Sequence, residues 1–313
     1  MRAVSDSSVP GWSRRWWLEA GAIVKAMRRE WRDDRVAGLA AEVAFFGLLG
    51  LFPTLLVLAA ALGSMEVIVG GEVAARAEGE VLDFLRRVLT DEASGTIDAV
   101  RRLFVETEPG LFTFGLLASL WAASRTFGAV VNALDVAYDL EERRSWVNLR
   151  ATAIGLALGT AVVGAVILAM LVVGPLLGTG RHIADAIGAG GLFAAFWDWL
   201  RWPTVFVLII AWASTIFHLA PNHHTPWRWD VPGAVLTAVF WALASVGFRF
   251  YLSLAAGANQ VLGTLGGSLI VLLWLYLMSI GLLLGGELNA VLAHRYSVPQ
   301  RRRRPLSVGR RRR

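Results

Sequence analysis

The sequence predicts an all-α polytopic membrane protein with six transmembrane helices and both termini in the cytoplasm. The first indication is composition: the chain is 56% hydrophobic and 17% charged, whereas soluble domains are about 45–50% apolar and about 25% charged. The second is a series of long uncharged runs, of which residues 252–286 form the longest. A bilayer core of about 30 Å requires about 20 helical residues, and several runs reach that length. The third is the placement of arginine, which sets the orientation.

Six spans follow from the uncharged runs. They are predicted near residues 41–63, 112–135, 151–176, 202–220, 233–255 and 264–290. Pro53 lies near the middle of the first span and is expected to kink it, because proline removes a backbone hydrogen bond. The second span has Arg125 at its centre. The fourth is short and follows FWDWLRWP, residues 196–203, whose tryptophans are typical of a membrane interface.

The third span contains two glycines, Gly155 and Gly159, in a GxxxG pattern. Small residues at this spacing permit the close approach of a neighbouring helix. Packing within one chain is favoured over dimerisation, because faces of this kind are common in helical membrane proteins. The sequence predicts no particular oligomeric state.

Basic residues distinguish the two sides of the membrane. Residues 1–38 contain eight Lys or Arg, and residues 295–313 contain nine and no acid. With six spans both termini lie on one side, and the positive-inside rule makes that side the cytoplasm. The segment 141–150 has three Arg and lies on the same side, whereas 64–110 has ten acids against five Arg and lies outside.

Three regions are therefore expected: a basic cytoplasmic segment 1–38, a six-helix transmembrane domain 39–293 and a disordered Arg-rich cytoplasmic tail 294–313. The outer segment 64–110 belongs to the second region. Its apolar residues recur at helical spacing in VLDFLRRVL, residues 81–89, and again over 97–104. Two short amphipathic helices, lying on the outer leaflet or capping the bundle, would account for this pattern.

The tail ends in QRRRRPLSVGRRRR, residues 300–313. Blocks of like charge are usually disordered, and this block follows a cytoplasmic helix end. Each Arg near an anionic leaflet contributes about 1 kcal/mol, so the tail is expected to bind anionic lipids at the membrane surface. Binding of RNA or DNA is the minor alternative.

Arg125 is the most informative residue inside a predicted span, because an arginine at a helix centre costs about 2.5–3.5 kcal/mol on insertion. We expect it to face the bundle interior and to have partners. Asp135 lies ten residues further along the helix, about 15 Å away, which is too far for direct pairing. Glu42 and Glu287 lie closer to the cytoplasm. Two alternatives remain. Either carbonyls, hydroxyls and a tilted glutamate accept the hydrogen bonds of the Arg125 guanidinium, or Arg125 lines a water-filled cavity that accepts an anion.

Signs of catalysis are lacking in the sequence. Cysteine is absent, which excludes thiolate chemistry, and the chain has no Walker loop, GxSxG or HExxH motif. The five histidines are scattered over loops and helix ends at positions 182, 218, 223, 224 and 294. His223 and His224 could bind a metal weakly, but adjacent loop histidines are usually solvated. No enzyme, metal site or cofactor is expected.

Four stretches together resemble the BrkB/YihY family of bacterial inner-membrane proteins. They are LAAEVAFFGLLGLFPTLL (39–56), LWAASRTFGAVVNALDVAYDLEER (120–143), FHLAPNHHTPWRWDVPGAVLTAVFWALAS (217–245) and LGTLGGSLIVLLWLYLMSIGLLLGGELNAVL (262–292). The order of a Pro-Asn loop, a tryptophan, Pro-Gly-Ala and Gly-Glu-Leu-Asn is more specific than any single apolar stretch. The resemblance covers nearly all of residues 35–293.

The resemblance implies six transmembrane helices in the bacterial inner membrane and an activity that is poorly defined. An earlier ribonuclease BN label for the family is regarded as mistaken. Links of some relatives to serum resistance or to export of lipopolysaccharide precursors imply a transporter or flippase. This chain departs from the family at Glu42 and at Phe45–Phe46, where relatives often have small apolar residues and tyrosine.

The leading hypothesis is a transporter or flippase of an anionic or amphipathic solute or of a lipid. Arg125 would meet the negative group at mid-depth. The other candidate substrate-binding or vestibule residues are Glu287, Asn289, Asp135 and Glu42, together with the predicted kink at Pro53. The alternative is a non-transporting envelope scaffold whose acidic outer segment and basic tail recruit partners.

Overall fold

The computed structural model describes residues 11–64, 109–140, 144–168, 170, 190–224, 226–255, 259–296 and 301–302. Over these ranges the chain forms α1 (Gly11–Asp33), α2 (Val36–Ser64), α3 (Pro109–Ala137), α4 (Trp146–Leu168), α5 (Gly190–Leu219), α6 (Val231–Ala255) and α7 (Asn259–Arg295). A 3₁₀ turn (Trp227–Trp229) and two two-residue strands, β1 (His223–His224) and β2 (Arg301–Arg302), complete the described structure.

Five of the described helices are long and apolar enough to cross a membrane. They contain the segments Thr113–Ala137, Trp146–Ile167, Trp199–Leu219, Trp227–Tyr251 and Ser268–Arg295, which correspond to the second to sixth predicted spans. The first predicted span lies in α2, and among the residues of α2 whose side chains are described the apolar part, Val36–Leu51, is shorter than a span requires. The all-helical membrane architecture is therefore confirmed, while the first span, and with it the count of six, and the cytoplasmic placement of both termini stay predictions.

The basic N-terminal segment contains a helix that the hydropathy pattern does not predict. In α1, Trp31 packs against the apolar core of the bundle. Its basic side chains line an open cavity of about 430 Å³ together with Asp33; they are Lys25, Arg28, Arg29 and Arg32. The helix is thus amphipathic, with one side on the bundle and one in a polar environment.

Helix α7 is central, because it packs against α1, α2, α3 and α6. Its crossing with α6 is very close. A Cβ atom added to Gly285 would overlap the Thr237 hydroxyl and the backbone carbonyl oxygen of Gly233, both on α6. Glycine at these positions lets the two backbones touch, which is a common way for helices to associate in membranes.

The predicted GxxxG face on α4 also packs within the chain. A Cβ atom on Gly159 would overlap the ring of Trp212 on α5, and the Trp212 indole donates a hydrogen bond to Thr160 at 3.0 Å. Gly155 has no neighbouring atom within 4 Å in the described structure. Gly159 therefore supports intrachain packing.

Several predicted features lie partly or wholly outside the described residues. The amphipathic helices of the outer segment fall in residues 65–108, which are outside them. The predicted kink at Pro53 lies within α2, beyond the residues whose side chains are described. In the predicted disordered tail, α7 includes His294 and Arg295, and β2 pairs antiparallel with β1. The expectation of a disordered tail over 294–313 stays a prediction, because most of these residues lie outside the described ranges.

Candidate functional site

Polar side chains from distant parts of the chain meet at one end of the bundle, which we call the polar end. The α1–α2 turn, the end of α3, the α5–α6 loop and the last part of α7 contribute to it. It is defined by Asp34, Asp135, Tyr138, Asp139, Arg144, Asn222, Asp230, Glu287 and Asn289.

The end of α3 is a Schellman motif with an aspartate at the left-handed position. Asp139 has a φ of 53°, the Leu140 N–H donates to the Asp135 carbonyl at 2.8 Å, and the Asp139 N–H donates to the Val136 carbonyl at 2.9 Å. Glycine is the usual residue here, because a side chain is strained at positive φ. The motif turns the chain so that Tyr138 is buried and Asp139 is exposed at the polar end.

Asp135 and Arg144 form a buried ion pair. One guanidinium nitrogen lies 2.9 Å from a carboxylate oxygen, and the two side chains are only 7% and 3% exposed. Arg144 also donates to the Ala220 carbonyl at 2.8 Å, and the Asn222 backbone N–H donates to the other Asp135 oxygen at 2.8 Å. Both oxygens of this predicted substrate-binding carboxylate therefore already contact protein donors that fix the α5–α6 loop.

Asn289 holds the start of α6. Its amide nitrogen donates to the Asp230 carbonyl at 3.0 Å, and its amide oxygen accepts from the Gly233 backbone N–H at 2.7 Å. The latter satisfies one of the free N–H groups in the first turn of a helix. The Asp230 carboxylate in turn lies 3.1 Å from His218 Nδ1. Asn289 was predicted to bind substrate, but its observed contacts join α7 to α6.

Glu287 differs from every other carboxylate at the polar end. Its side chain is 1% exposed. No nitrogen or hydroxyl donor among the described residues reaches either carboxylate oxygen, and the side-chain contact that it makes there is with the carboxyl of Asp34. The groups that act on it electrostatically are themselves acids: Asp34, Glu30 and Asp139. Buried carboxylates are normally paired or hydrogen-bonded, because an isolated buried charge is costly. This arrangement therefore favours the neutral, protonated side chain.

Two neighbours of Glu287 also favour their protonated forms. Burial raises the pKa of Asp34, as do the negative charges of Asp139 and Glu30, whereas an interaction with Glu287 acts in the opposite direction. Burial raises the pKa of Tyr138 well above its usual value, with a further contribution from Asp230. Asp34 and Tyr138 consequently keep their protons to a higher pH than they would in water.

Arg125 lies apart from the polar end. It is the middle residue of the span Thr113–Ala137, and its side chain is exposed. The guanidinium carbon lies over the Phe46 ring at 4.8 Å from the ring centroid. Among the described residues no ion pair or hydrogen bond involves its side chain. The expectation that Arg125 faces the bundle interior is wrong, since the phenyl ring of α2 provides its contact at the helix surface.

Glu42 is exposed on α2 and takes no part in the polar end as described. Arg144, Asp34 and Asp230 also belong to the polar end but were not predicted as site residues, because they lie in polar segments that flank the spans. One signal was present for Asp230, because an aspartate directly before a helix with Pro232 in its first turn is a typical helix start. Nothing in the local sequence marks the other two.

Comparison with known proteins places these features in a family context. The family model described as Virulence factor BrkB matches residues 27–308. YfkH of Bacillus subtilis (strain 168), whose name describes it as ribonuclease-like, is 32% identical over 83% of this chain and 90% of its own length. A UPF0761 membrane protein of Stenotrophomonas maltophilia (strain R551-3) is 26% identical over 83% of this chain and 58% of its own length. A UPF0761 membrane protein of Tolumonas auensis is 24% identical over 85% of this chain and 83% of its own length. No solved structure matches the chain with significant similarity.

Proposed function

The chain belongs to the virulence factor BrkB family and is an integral membrane protein, and from this premise we propose that it is a transporter or flippase. The proposed cargo is an anionic or amphipathic solute or a lipid. The proposal assigns no catalysis to the chain, because its sequence has no nucleophile–base, metal or nucleotide motif.

One observation carries the proposal: the cation Arg125 at the centre of α3 has no ion pair or side-chain hydrogen bond to any residue that the structure describes. Ionisable residues at this depth are costly, and they usually mark a substrate or ion pathway. Contact with the Phe46 ring at 4.8 Å offsets part of that cost for Arg125. A guanidinium keeps its donors available for a bidentate bond to phosphate or carboxylate. A lipid phosphate reaching Arg125 from the side of the bundle would provide the missing partner.

The proposal places the polar end at the cytoplasmic face of the inner membrane. The basic side of α1 and the β2 arginines lie at or next to this end, and arginine accumulates on the cytoplasmic side. Anionic lipids are the partners we propose for α1 and for the Arg-rich tail, since each basic residue near an anionic leaflet contributes about 1 kcal/mol.

The first prediction concerns Arg125. In proteoliposomes that contain fluorescent phosphatidylglycerol, we expect Arg125→Gln to slow translocation about tenfold or more, because a charge-assisted hydrogen bond to phosphate is lost. Arg125→Lys keeps the charge and is expected to retain part of the rate. Translocation is measured by chemical quenching of the outer-leaflet fluorophore, with folded yield from size-exclusion chromatography beside it.

Arg249→Gln is the matched control, since Arg249 is also an exposed arginine in a membrane-spanning helix. It is expected to translocate lipid at the unmodified rate. Equal rates for Arg125→Gln and the unmodified chain, at equal yield, would contradict the proposal. If deletion of residues 66–108 abolished function instead, the scaffold alternative would replace it.

A further inference from the structure

The carboxyl of Glu287, at the polar end, has no role in the lipid translocation proposed for Arg125. It lies on a membrane-spanning segment of α7 and is 1% exposed. Among the described residues no nitrogen or hydroxyl donor reaches its oxygens, and the Asp34 carboxyl is the side chain in contact with it. Ion pairs elsewhere at the polar end show that the fold can supply a buried cation, as Arg144 does for Asp135. Glu287 receives none in the part of the chain that the structure describes.

We propose that Glu287 is a proton-binding site that is loaded from the polar end through Asp34. Proton binding itself is independent of transport, whereas its use as the coupling ion rests on the proposed function. The surroundings support a proton over a metal ion, because the described residues contain no group of three His, Asp or Glu side chains that could hold one.

The titratable groups around Glu287 form a graded path from the surface to the interior. Asp139, after α3, is exposed; Glu30, on α1, and Asp34, in the α1–α2 turn, are half-buried; Glu287 is buried. The phenol of Tyr138 interacts electrostatically with Glu287 and with Asp230. In the loading step the Asp34 carboxyl donates its proton to the Glu287 carboxylate. The Asp34 carboxylate then takes a proton from a hydronium ion of the adjoining aqueous phase, which leaves water.

Electrostatics make the path selective for protons. A carboxylate at Glu287 would be buried, and Asp34, Glu30 and Asp139 would repel it, so burial and repulsion both oppose its negative charge. Protonation removes both penalties without requiring a shell of ligands. Asn289, two residues along α7, is held by Asp230 and Gly233, which keeps this part of α7 in place while the proton exchanges.

The test is the thermal unfolding midpoint of the full chain in detergent at about pH 6 and about pH 9, compared with Glu287→Gln. The folded chain keeps a proton that the unfolded chain releases, so the midpoint of the unmodified chain is expected to fall as pH rises. Glutamine mimics the protonated carboxyl and cannot ionise. We expect Glu287→Gln to unfold several degrees higher than the unmodified chain at the alkaline pH, with a smaller dependence on pH.

Two further measurements make the outcome decisive. Infrared spectra at neutral pH should contain a protonated-carboxyl C=O band that Glu287→Gln removes. Asp34→Asn should leave that band but slow its exchange into deuterated buffer. Equal pH dependence in Glu287→Gln and the unmodified chain, with no band lost, would overturn the proposal. A second result would also overturn it. If Na⁺ or Mg²⁺ raised the unfolding midpoint at the alkaline pH in the unmodified chain but not in Glu287→Gln, Glu287 would belong to a metal-cation site instead of a proton site. Neither measurement depends on lipid translocation, so failure of this proposal is distinguishable from failure at Arg125.

Discussion

Replacement of Asp135 by alanine is expected to lower the free energy of unfolding by about 3–5 kcal/mol. The change leaves the Arg144 guanidinium buried at the polar end without its carboxylate partner. It also removes the acceptor for the Asn222 backbone N–H, and a buried donor without an acceptor adds its own cost. Unfolding of the purified chain by SDS in mixed micelles, followed by tryptophan fluorescence, measures the difference.

The exposed pair Arg29–Asp33 provides a control within the same chain. Its side chains are 79% and 60% exposed, so Asp33→Ala is expected to change stability by less than about 1 kcal/mol. A double variant that replaces Asp135 and Arg144 together should recover much of the loss, because neither charge is then left unpaired. Equal small effects of Asp135→Ala and Asp33→Ala would show that the buried pair does not hold the loop.

Hydropathy could predict the membrane-spanning helices because lipid inverts the usual pattern of exposure. Large apolar side chains such as Phe114 and Trp121 on α3 and Leu243 on α6 are more than 60% exposed, which water would penalise. In hydrocarbon that exposure is favourable, so a span needs only length and the absence of charge. The length of an apolar run and its lack of charge can be read from a local stretch of sequence, without knowing how the helices pack.

The polar end could not be predicted in the same way, because its members are separated by up to 255 positions, from Asp34 to Asn289. Several of its acids, such as Asp34 and Asp139, lie in segments that flank the helices, where an acid is ordinarily solvated. Only the packing of α1 and α3 against α7 places them together. Of the predicted site residues, Glu287, Asn289 and Asp135 meet there, and Glu42 does not.

Arg125 shows the limit of an argument from insertion cost. The cost requires a compensating contact, but it does not specify which face of the helix provides it. The structure provides that contact through the Phe46 ring, and a hydropathy count treats phenylalanine only as apolar. The direction of the side chain was therefore predicted wrongly.

For a similar reason, the GxxxG spacing did not show which glycines lie at a close contact between helices. GxxxG occurs on α4 at Gly155 and Gly159 and, with the same spacing, on α7 at Gly281 and Gly285. The sequence alone does not show which of the two glycine faces packs more tightly against a neighbouring helix. The effect of adding a side chain at a glycine depends on which atoms that glycine contacts in the fold. On α7 a Cβ at Gly285 meets backbone, while Gly155 faces open space.

Gly285→Leu is expected to prevent folding, which is the largest effect we expect from a single substitution. The first added atom would already overlap the Gly233 carbonyl oxygen and the Thr237 hydroxyl, and it would lie 2.8 Å from the Phe217 ring. Backbone cannot move aside as a side chain can, so α6 and α7 would have to separate. Gly285→Ala, the smaller change, is expected to cost about 3 kcal/mol, at the upper end of overpacking effects.

Gly155→Leu distinguishes this steric effect from a general intolerance of larger residues in the spans. No described atom lies within 4 Å of a Cβ at Gly155, and lipid accepts a leucine side chain there. We expect it to purify as a monodisperse species at the unmodified yield, with stability unchanged or raised by up to about 1 kcal/mol through helix propensity. Gly285→Leu is expected to give aggregate only. Equal yields for the two variants would show that α6 and α7 do not cross in close contact, and the contacts of Asn289 with the start of α6 would then have to be abandoned as well.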